Sequence, residues 1–226
     1  MRKWENLPPF MQVDEVRVYY DILEKHRSSL LFKRIFDIII AGVLILILSP
    51  LFLILALIIK VDSKGPAIYQ QTRVTIYGRE FRIFKFRSMV VEADREGTQV
   101  TTNGDTRITR VGRVIRKYRL DELPQLVNIL CGDMTFVGTR PEVVKYVRKY
   151  TDKMKATLLL PAGITSLASI AYKDEEKLLK SAEDADEIYI KQILPEKMKY
   201  NLKALREFSL WGDIKIMFRT VFAVLK

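Results

Sequence analysis

The chain has 226 residues, 49% of them hydrophobic, and a formal net charge of +11 from 38 Lys and Arg against 27 Asp and Glu, room for one ordinary domain beside a membrane element. Its single cysteine, Cys131, and single histidine, His26 in the N-terminal arm, exclude a disulfide framework, a cysteine metal site and Ser-His-Asp or Cys-His catalysis, leaving carboxylate, lysine or metal chemistry. Between Lys60 and Leu120, 14 Lys and Arg stand against 6 Asp and Glu; with no zinc-finger spacing or RNP motif, this block points to anionic lipids or phosphorylated substrates and not to nucleic acid.

Residues 1–34 read as an N-terminal arm with a helix around Val16 to His26, packed on the domain or lying on the membrane surface. Ile38 to Ile59 is an apolar run without a charge, flanked by Lys33-Arg34 and by Lys60 and Lys64. As a straight helix it would be about 33 Å long, enough to cross a bilayer. Ser49-Pro50 interrupts it. Pro50 has no N–H for the carbonyl four residues back, so the helix should bend there, and Ser49 could donate its hydroxyl to the freed carbonyl. Cations at both ends favour a hairpin that enters one leaflet and returns, while a proline-tolerant bitopic span stays open from these residues alone. The expected organisation is 1–34 arm, 35–60 membrane element broken at Ser49-Pro50, and 61–226 catalytic domain.

After the membrane run, Gly65-Pro66 marks a turn. Ala67 to Gln71 and Glu80 to Met89 read as strands around Tyr77-Gly78-Arg79, with Phe81 and Ile83 on one face. Glu92 to Thr106 is polar and reads as a loop that could serve as a lid. Ile108 to Leu120 should be a basic helix. Asp121 then looks like the N-cap of a second helix, with Pro124 in its first turn, Leu123, Leu126, Val127 and Leu130 at helical spacing, and Gly132 as C-cap. A further helix is expected from Glu142 to about Thr157, a structured loop from Leu160 to Ile170, and helices over 174–206. Trp211 to Leu225 has an amphipathic pattern with Ile214, Met217, Val221 and Leu225 on one face, which could lie in the membrane interface or face the core as an ordinary helix. The class is therefore α/β, mostly helical with a small β-hairpin.

Asp121-Glu122 is the first candidate for chemistry. A solvated cap is the bland reading of such a pair, but Arg113, Arg116, Lys117 and Arg119 precede it. Those cations and the helix N-terminus would lower the Asp121 pKa and keep it an ionised nucleophile, and the same field would attract phosphate. Glu122 could hold Mg²⁺ as a hard oxygen ligand. Lys85 and Arg87 in Lys85-Phe86-Arg87-Ser88-Met89, and Arg140 in Gly138-Thr139-Arg140-Pro141, are candidate phosphate contacts. No P-loop and no Gly-x-Gly-x-x-Gly occurs.

Together these strings resemble the monotopic phosphoglycosyl transferases, the bacterial sugar transferase family. The matching pieces are the basic pair before an apolar run broken by Ser49-Pro50; Gly65-Pro66; Lys85 to Met89; Asp105-Thr106-Arg107-Ile108-Thr109-Arg110-Val111-Gly112; and Arg116 with Leu120 to Leu126. Gly132-Asp133-Met134, Val137 to Pro141, Gly163-Ile164-Thr165 and Asp213-Ile214-Lys215 follow in order. The resemblance implies transfer of a sugar 1-phosphate from a UDP-sugar to a polyprenyl phosphate, releasing UMP, at the start of surface glycan synthesis. Asp121 would be the nucleophile, Glu122 would bind Mg²⁺, and Lys85, Arg87, Arg116 and Arg140 would contact phosphate. It also implies the re-entrant hairpin, with the protein monotopic on the cytoplasmic face of the bacterial inner membrane, among membrane lipids; a homo-oligomer stays open. Thr139 stands where the family often has Pro, and Pro161 to Ser169 departs from its Pro-Gly-Ile-Thr-Gly segment, which leaves the sugar open. The sequence also lacks the several N-terminal spans of larger relatives, like the small members. The alternative is a non-catalytic membrane scaffold whose basic face binds anionic lipids.

Overall fold

A computed structural model describes residues 1–91, 105–175 and 185–225. Most of the expected loop from Glu92 to Thr106, and residues 176–184 of the expected helices over 174–206, lie outside the described residues. Helix α1 (Asp14–Lys25) buries Val16, Tyr19, Tyr20 and Leu23, and α2 (Arg27–Asp62) follows it directly. Strands β1 (Ile68–Val74) and β2 (Glu80–Phe86) pair antiparallel, Tyr69 opposite Lys85 and Arg73 opposite Phe81. Phe81 and Ile83 are buried on one face, as their two-residue spacing predicts.

Helices α3 (Arg110–Lys117) and α4 (Gln125–Cys131) flank the Asp-Glu pair, and Gly132 closes α4 at φ 87°, where a side chain would be strained. The expected helix from Glu142 to Thr157 is instead three short pieces: α5 (Val144–Val147), α6 (Asp152–Lys155) and a 3₁₀ turn. Thr151 restarts the chain by capping Met154 N, which explains the division. The expected loop from Leu160 holds a strand. Strand β3 (Met134–Val137) pairs parallel with β4 (Ala162–Thr165). Gly138 and Gly163 allow the close approach beside that pair, because a Cβ on Gly163 would lie 2.2 Å from Gly138 N. Helices α7 (Leu167–Ala171), α8 (Ala185–Ile188), a π-helical turn (Tyr189–Ile193), α9 (Leu194–Arg206) and α10 (Leu210–Leu225) complete the chain.

The N-terminal arm is part of the largest core. Leu7, Met11, Tyr19 and Leu23 pack with Tyr146, Tyr150, Leu158, Tyr189, Leu194 and Met198. The spacing in α10 groups Val221 with Met217 on one face, for the membrane interface or for the core; in the fold Ile216 is buried and Val221 is 56% exposed. Polar ties set this rotation, Asp213 to Lys33 and Thr220 Oγ1 to Thr165 Oγ1 at 2.6 Å.

Helix α2 is the element that departs most from a soluble fold. Helical structure runs through Ser49-Pro50 without interruption, so the proline lies inside one long helix and does not divide it into two. Ser49 Oγ donates to Leu46 O at 2.9 Å, the carbonyl that Pro50 leaves without its backbone donor. One stripe of α2 packs on the domain: Ala41, Leu44, Leu48 and Phe52 on one apolar cluster, Leu55 and Ile59 on another. The opposite stripe is bare, with Leu46 75% and Leu53 63% exposed. Both ends are tied down. Lys33 pairs with Asp213 at 2.7 Å, and Arg34 donates to Ile129 O and Leu130 O at 2.7 and 3.2 Å. At the far end Val111 N donates to Asp62 Oδ2 at 3.2 Å, and Arg87 donates to Ser63 O at 2.7 Å.

Candidate active site

Asp121 and Glu122 do not cap α4. Pro124 occupies that position with no side-chain cap bond, and the pair forms a separate 3₁₀ turn, Leu120–Glu122. Arg119 is the reason. It sits at φ 55°, a conformation rare for a non-glycine residue, and this left-handed step ends α3 and turns the two carboxylates inward. Both are buried. Asn128, fully buried on α4, accepts from Phe84 N at 2.9 Å and donates to Arg82 O at 2.8 Å, which fixes the turn against β2.

Four cations converge on this turn. Arg140 forks Glu122, with Nη2 2.5 Å from Oε1 and Nη1 3.3 Å from Oε2. Arg119 Nη1 lies 3.5 Å and Lys85 Nζ 3.8 Å from the same Oε1. Arg116, in the last turn of α3, adds positive charge beside Asp121. Burial works against the Glu122 charge, but Arg140 and then Lys85 outweigh it and hold the carboxyl well below the usual carboxylate range. Burial pushes the Lys85 ammonium down to about 8 against the opposing pull of Glu122.

Asp121 behaves otherwise than the sequence suggests. Burial first, then the negative charge of Glu122, raise its pKa, and Lys85, Arg116 and Arg119 only partly counter them. The expected lowering relied on a helix N-terminus and on the neighbouring cations; the 3₁₀ turn supplies no helix terminus, and burial outweighs the cations. Among the described residues its Oδ1 has no hydrogen-bond partner, and it is buried. An acceptor in that state is costly unless a ligand supplies a cation or a phosphorus centre. Gln125 Nε2, on the same stretch of chain, is likewise buried and without a partner among the described residues.

Of the sequence-predicted site residues, Asp121, Glu122, Lys85, Arg116 and Arg140 come together. Arg87 does not join them. Its side chain is buried at the C-terminal end of α2, donating to Ser63 O, Ser63 Oγ and Ile59 O. Arg73 is a residue the sequence reading missed. It shares the hairpin face with Lys85, donates to Gln71 Oε1 at 2.6 Å and to Pro141 O at 3.3 Å, and so fastens the Arg140 loop. The two-residue period of Tyr69, Gln71 and Arg73 was visible, but only the strand register puts that face opposite the acidic turn. Gly163 N to Thr139 O at 2.8 Å and Gly138 N to Thr165 O at 3.0 Å hold the same loop from β4.

Among the described residues, no group of three or more Asp, Glu, His or Cys could hold a metal. Mg²⁺ asks less, because it is commonly held by one or two carboxylates with substrate phosphate oxygens and water. Asp121 Oδ1, unpartnered among the described residues, beside the ionised Glu122 fits that donor set.

Residues 28–226 match the bacterial sugar transferase family. The chain is 38% identical over 196 residues to the UDP-N-acetylgalactosamine-undecaprenyl-phosphate N-acetylgalactosaminephosphotransferase of Aeromonas hydrophila, covering 85% of this chain and 43% of that protein. It is 39% identical over 197 residues to the UDP-glucose:undecaprenyl-phosphate glucose-1-phosphate transferase of Escherichia coli K12, covering 85% and 40%. With the undecaprenyl-phosphate galactose phosphotransferase of Salmonella typhimurium it shares 34% over 215 residues, 88% and 42%. The matched region thus spans about two fifths of the length of each of these relatives.

Proposed function

Because the chain belongs to the bacterial sugar transferase family, we propose that it moves a sugar 1-phosphate from a UDP-sugar to a polyprenyl phosphate through a covalent aspartyl intermediate. The observation that carries this reading is Asp121 Oδ1, buried and, among the described residues, without a hydrogen-bond partner, beside Lys85, Arg116 and Arg119 and next to a Glu122 forked by Arg140. In the first step the Asp121 carboxylate attacks the sugar-bearing β-phosphorus. A P–O bond to the enzyme forms, the diphosphate P–O bond breaks, and UMP leaves with the bridging oxygen. In the second step a phosphate oxygen of the polyprenyl phosphate attacks the same phosphorus and Asp121 departs as carboxylate. A sugar diphosphate polyprenyl product results, and no proton need be shuttled.

Lys85 and Arg140 neutralise phosphate charge that would otherwise repel the attacking carboxylate. Arg116 and Arg119 hold positive charge on the side of Asp121. Mg²⁺, held by Glu122 with substrate oxygens, would add charge neutralisation. Two successive displacements let two bulky anions use one basic site in turn. The scaffold alternative is disfavoured because these cations converge inward on buried carboxylates, whereas a lipid-binding face would present them outward.

The test is turnover of purified protein with undecaprenyl phosphate and a panel of UDP-sugars, read as UMP release. One sugar supporting UMP release in a lipid-dependent manner is expected. Release from none of them, in folded protein with Mg²⁺ present, would refute the transferase reading.

We also propose that α2 enters one leaflet and returns, bending at Pro50, with the domain on the cytoplasmic face. The support is that both flanks of the apolar run bond to the same domain, Lys33 and Arg34 before it and Asp62 and Ser63 after it. A straight span would carry its flanks to opposite faces about 30 Å apart. Single cysteines at Ser28 and Lys64, in a Cys131→Ser background, should react with an impermeant maleimide from the cytoplasmic side alone. Labelling of one of them from the opposite side would establish a bitopic span instead.

A further inference from the structure

Behind the Arg140 loop lies a buried chain of polar groups that the proposed chemistry does not use. Its members are Glu142, Tyr189 and Lys197, each of them buried. The Tyr189 hydroxyl donates to Glu142 Oε1 at 2.5 Å and accepts from Lys197 Nζ at 3.1 Å. The Lys197 ammonium also lies 3.8 Å from Glu142 Oε1 and donates to Glu175 Oε2 at 3.0 Å. One ammonium therefore serves two carboxylates.

Those two carboxylates matter because Glu142 lines the same small cavity as Arg140, and the charges of Glu142 and Glu175 act on its guanidinium alongside that of Glu122. Among the described residues, Arg140 bonds Glu122. The backbone around Arg140 cannot make that choice alone. Arg73 and Val74 N hold the carbonyls of Pro141 and Glu142, but a carboxylate two residues along the chain could still draw the guanidinium back. A buried carboxylate without its partners seeks the nearest cation. Besides Lys197, Glu142 has Arg140 on the same small cavity and Arg73 bonded to the neighbouring Pro141 carbonyl.

We propose that Lys197 and Tyr189 are positioning residues: by occupying Glu142, and Glu175 through the same ammonium, they leave Arg140 directed at Glu122 and the substrate phosphates. The π-helical turn Tyr189–Ile193, which sets Tyr189 and leads into the first turn of α9 with Lys197, is the local device that brings both to Glu142. The inference deepens the transferase reading of the site and rests on it.

The experiment is a double-mutant cycle in the intact protein, using the UDP-sugar that the wild type accepts. Lys197→Met strands the Glu142 charge and is expected to lower kcat/KM at least tenfold. Glu142→Gln removes the competing charge while keeping an acceptor for the Tyr189 hydroxyl, so Lys197→Met/Glu142→Gln is expected to recover to within threefold of wild type. Because stranding a buried carboxylate also destabilises the fold, and neutralising it would restore stability, kcat/KM is taken per mole of folded protein, well below each variant's melting temperature. A lysine that serves only the fold would leave that rate unchanged. Lys197→Met at the wild-type rate, or a double variant as impaired as the single, would overturn the proposal. Should Lys197→Met not fold, Tyr189→Phe with and without Glu142→Gln carries the same pair of expectations. Failure of the transferase reading itself would be separate, because the wild type would then release no UMP.

Discussion

Asp121→Asn protein should form no phosphosugar adduct and lose turnover by roughly a thousandfold or more, yet should unfold at a higher temperature than wild type at neutral pH. The first effect follows from chemistry. An amide has no anionic oxygen to attack phosphorus, and no histidine or cysteine lies in this site to take over, since His26 stacks edge-on against Phe208 at 5.8 Å and Cys131 ends α4. The second follows from linkage. The Asp121 pKa is raised in the fold by burial and by Glu122, so the folded state binds this proton more tightly than the unfolded chain. The stability associated with that proton is fully present below the unfolded pKa and is lost as pH rises through the folded pKa. Above the folded pKa the charge on Asp121 therefore works against folding, and a neutral amide relieves it. For the same reason, adduct formation by wild type should fall as pH is lowered through the raised Asp121 pKa. Mass spectrometry of protein quenched in mid-turnover, with thermal melts of both proteins, checks the prediction. An adduct on the Asn variant would remove Asp121 from its role, and a lower melting temperature would mean that its charge is compensated in the fold.

Arg140→Ala should cost both stability and rate. Glu122 is buried and its carboxylate is forked by Arg140, and removing one member of a buried pair leaves the other without compensation, a loss of about 3 kcal/mol. Lys85 at 3.8 Å and Arg119 at 3.5 Å soften the loss but cannot replace a two-bond fork. Removing a preorganised donor to transition-state charge typically costs about a hundredfold in rate or more. Arg140→Lys should recover charge without the fork, hence stability more than rate. Denaturant melts and kcat/KM measured on Arg140→Ala and Arg140→Lys separate these. Unchanged kinetics for the alanine variant, with stability lost, would make Arg140 a structural partner of Glu122 and nothing more.

How much of this was legible in advance varies by element. The apolar run, its basic flanks and Ser49-Pro50 were plain because hydropathy is local, and the Ser49 hydroxyl does meet the carbonyl that Pro50 orphans. The hairpin of β1 and β2 was readable from its turn and its two-residue alternation. The parallel pairing of β3 with β4 was not, since two short strands set far apart along the chain carry no local signal of each other. Nor was the Arg119 step, a single dihedral that decides whether the Asp-Glu pair faces solvent as a cap or the interior as a site.

The order of residues by itself determined which groups are available: two adjacent carboxylates, a surplus of cations, no useful histidine or thiol, and one stretch that water cannot accommodate. Tertiary structure alone decided how the cations are shared. It sent Arg87 to the end of α2 and Arg140 to Glu122, and it brought Lys197, distant from Glu142 in the chain, to a contact of 3.8 Å. The reason is electrostatic. In a buried setting an ion's state depends on whichever opposite charge the packing brings within a few ångströms, and that distance belongs to the fold and not to spacing along the chain.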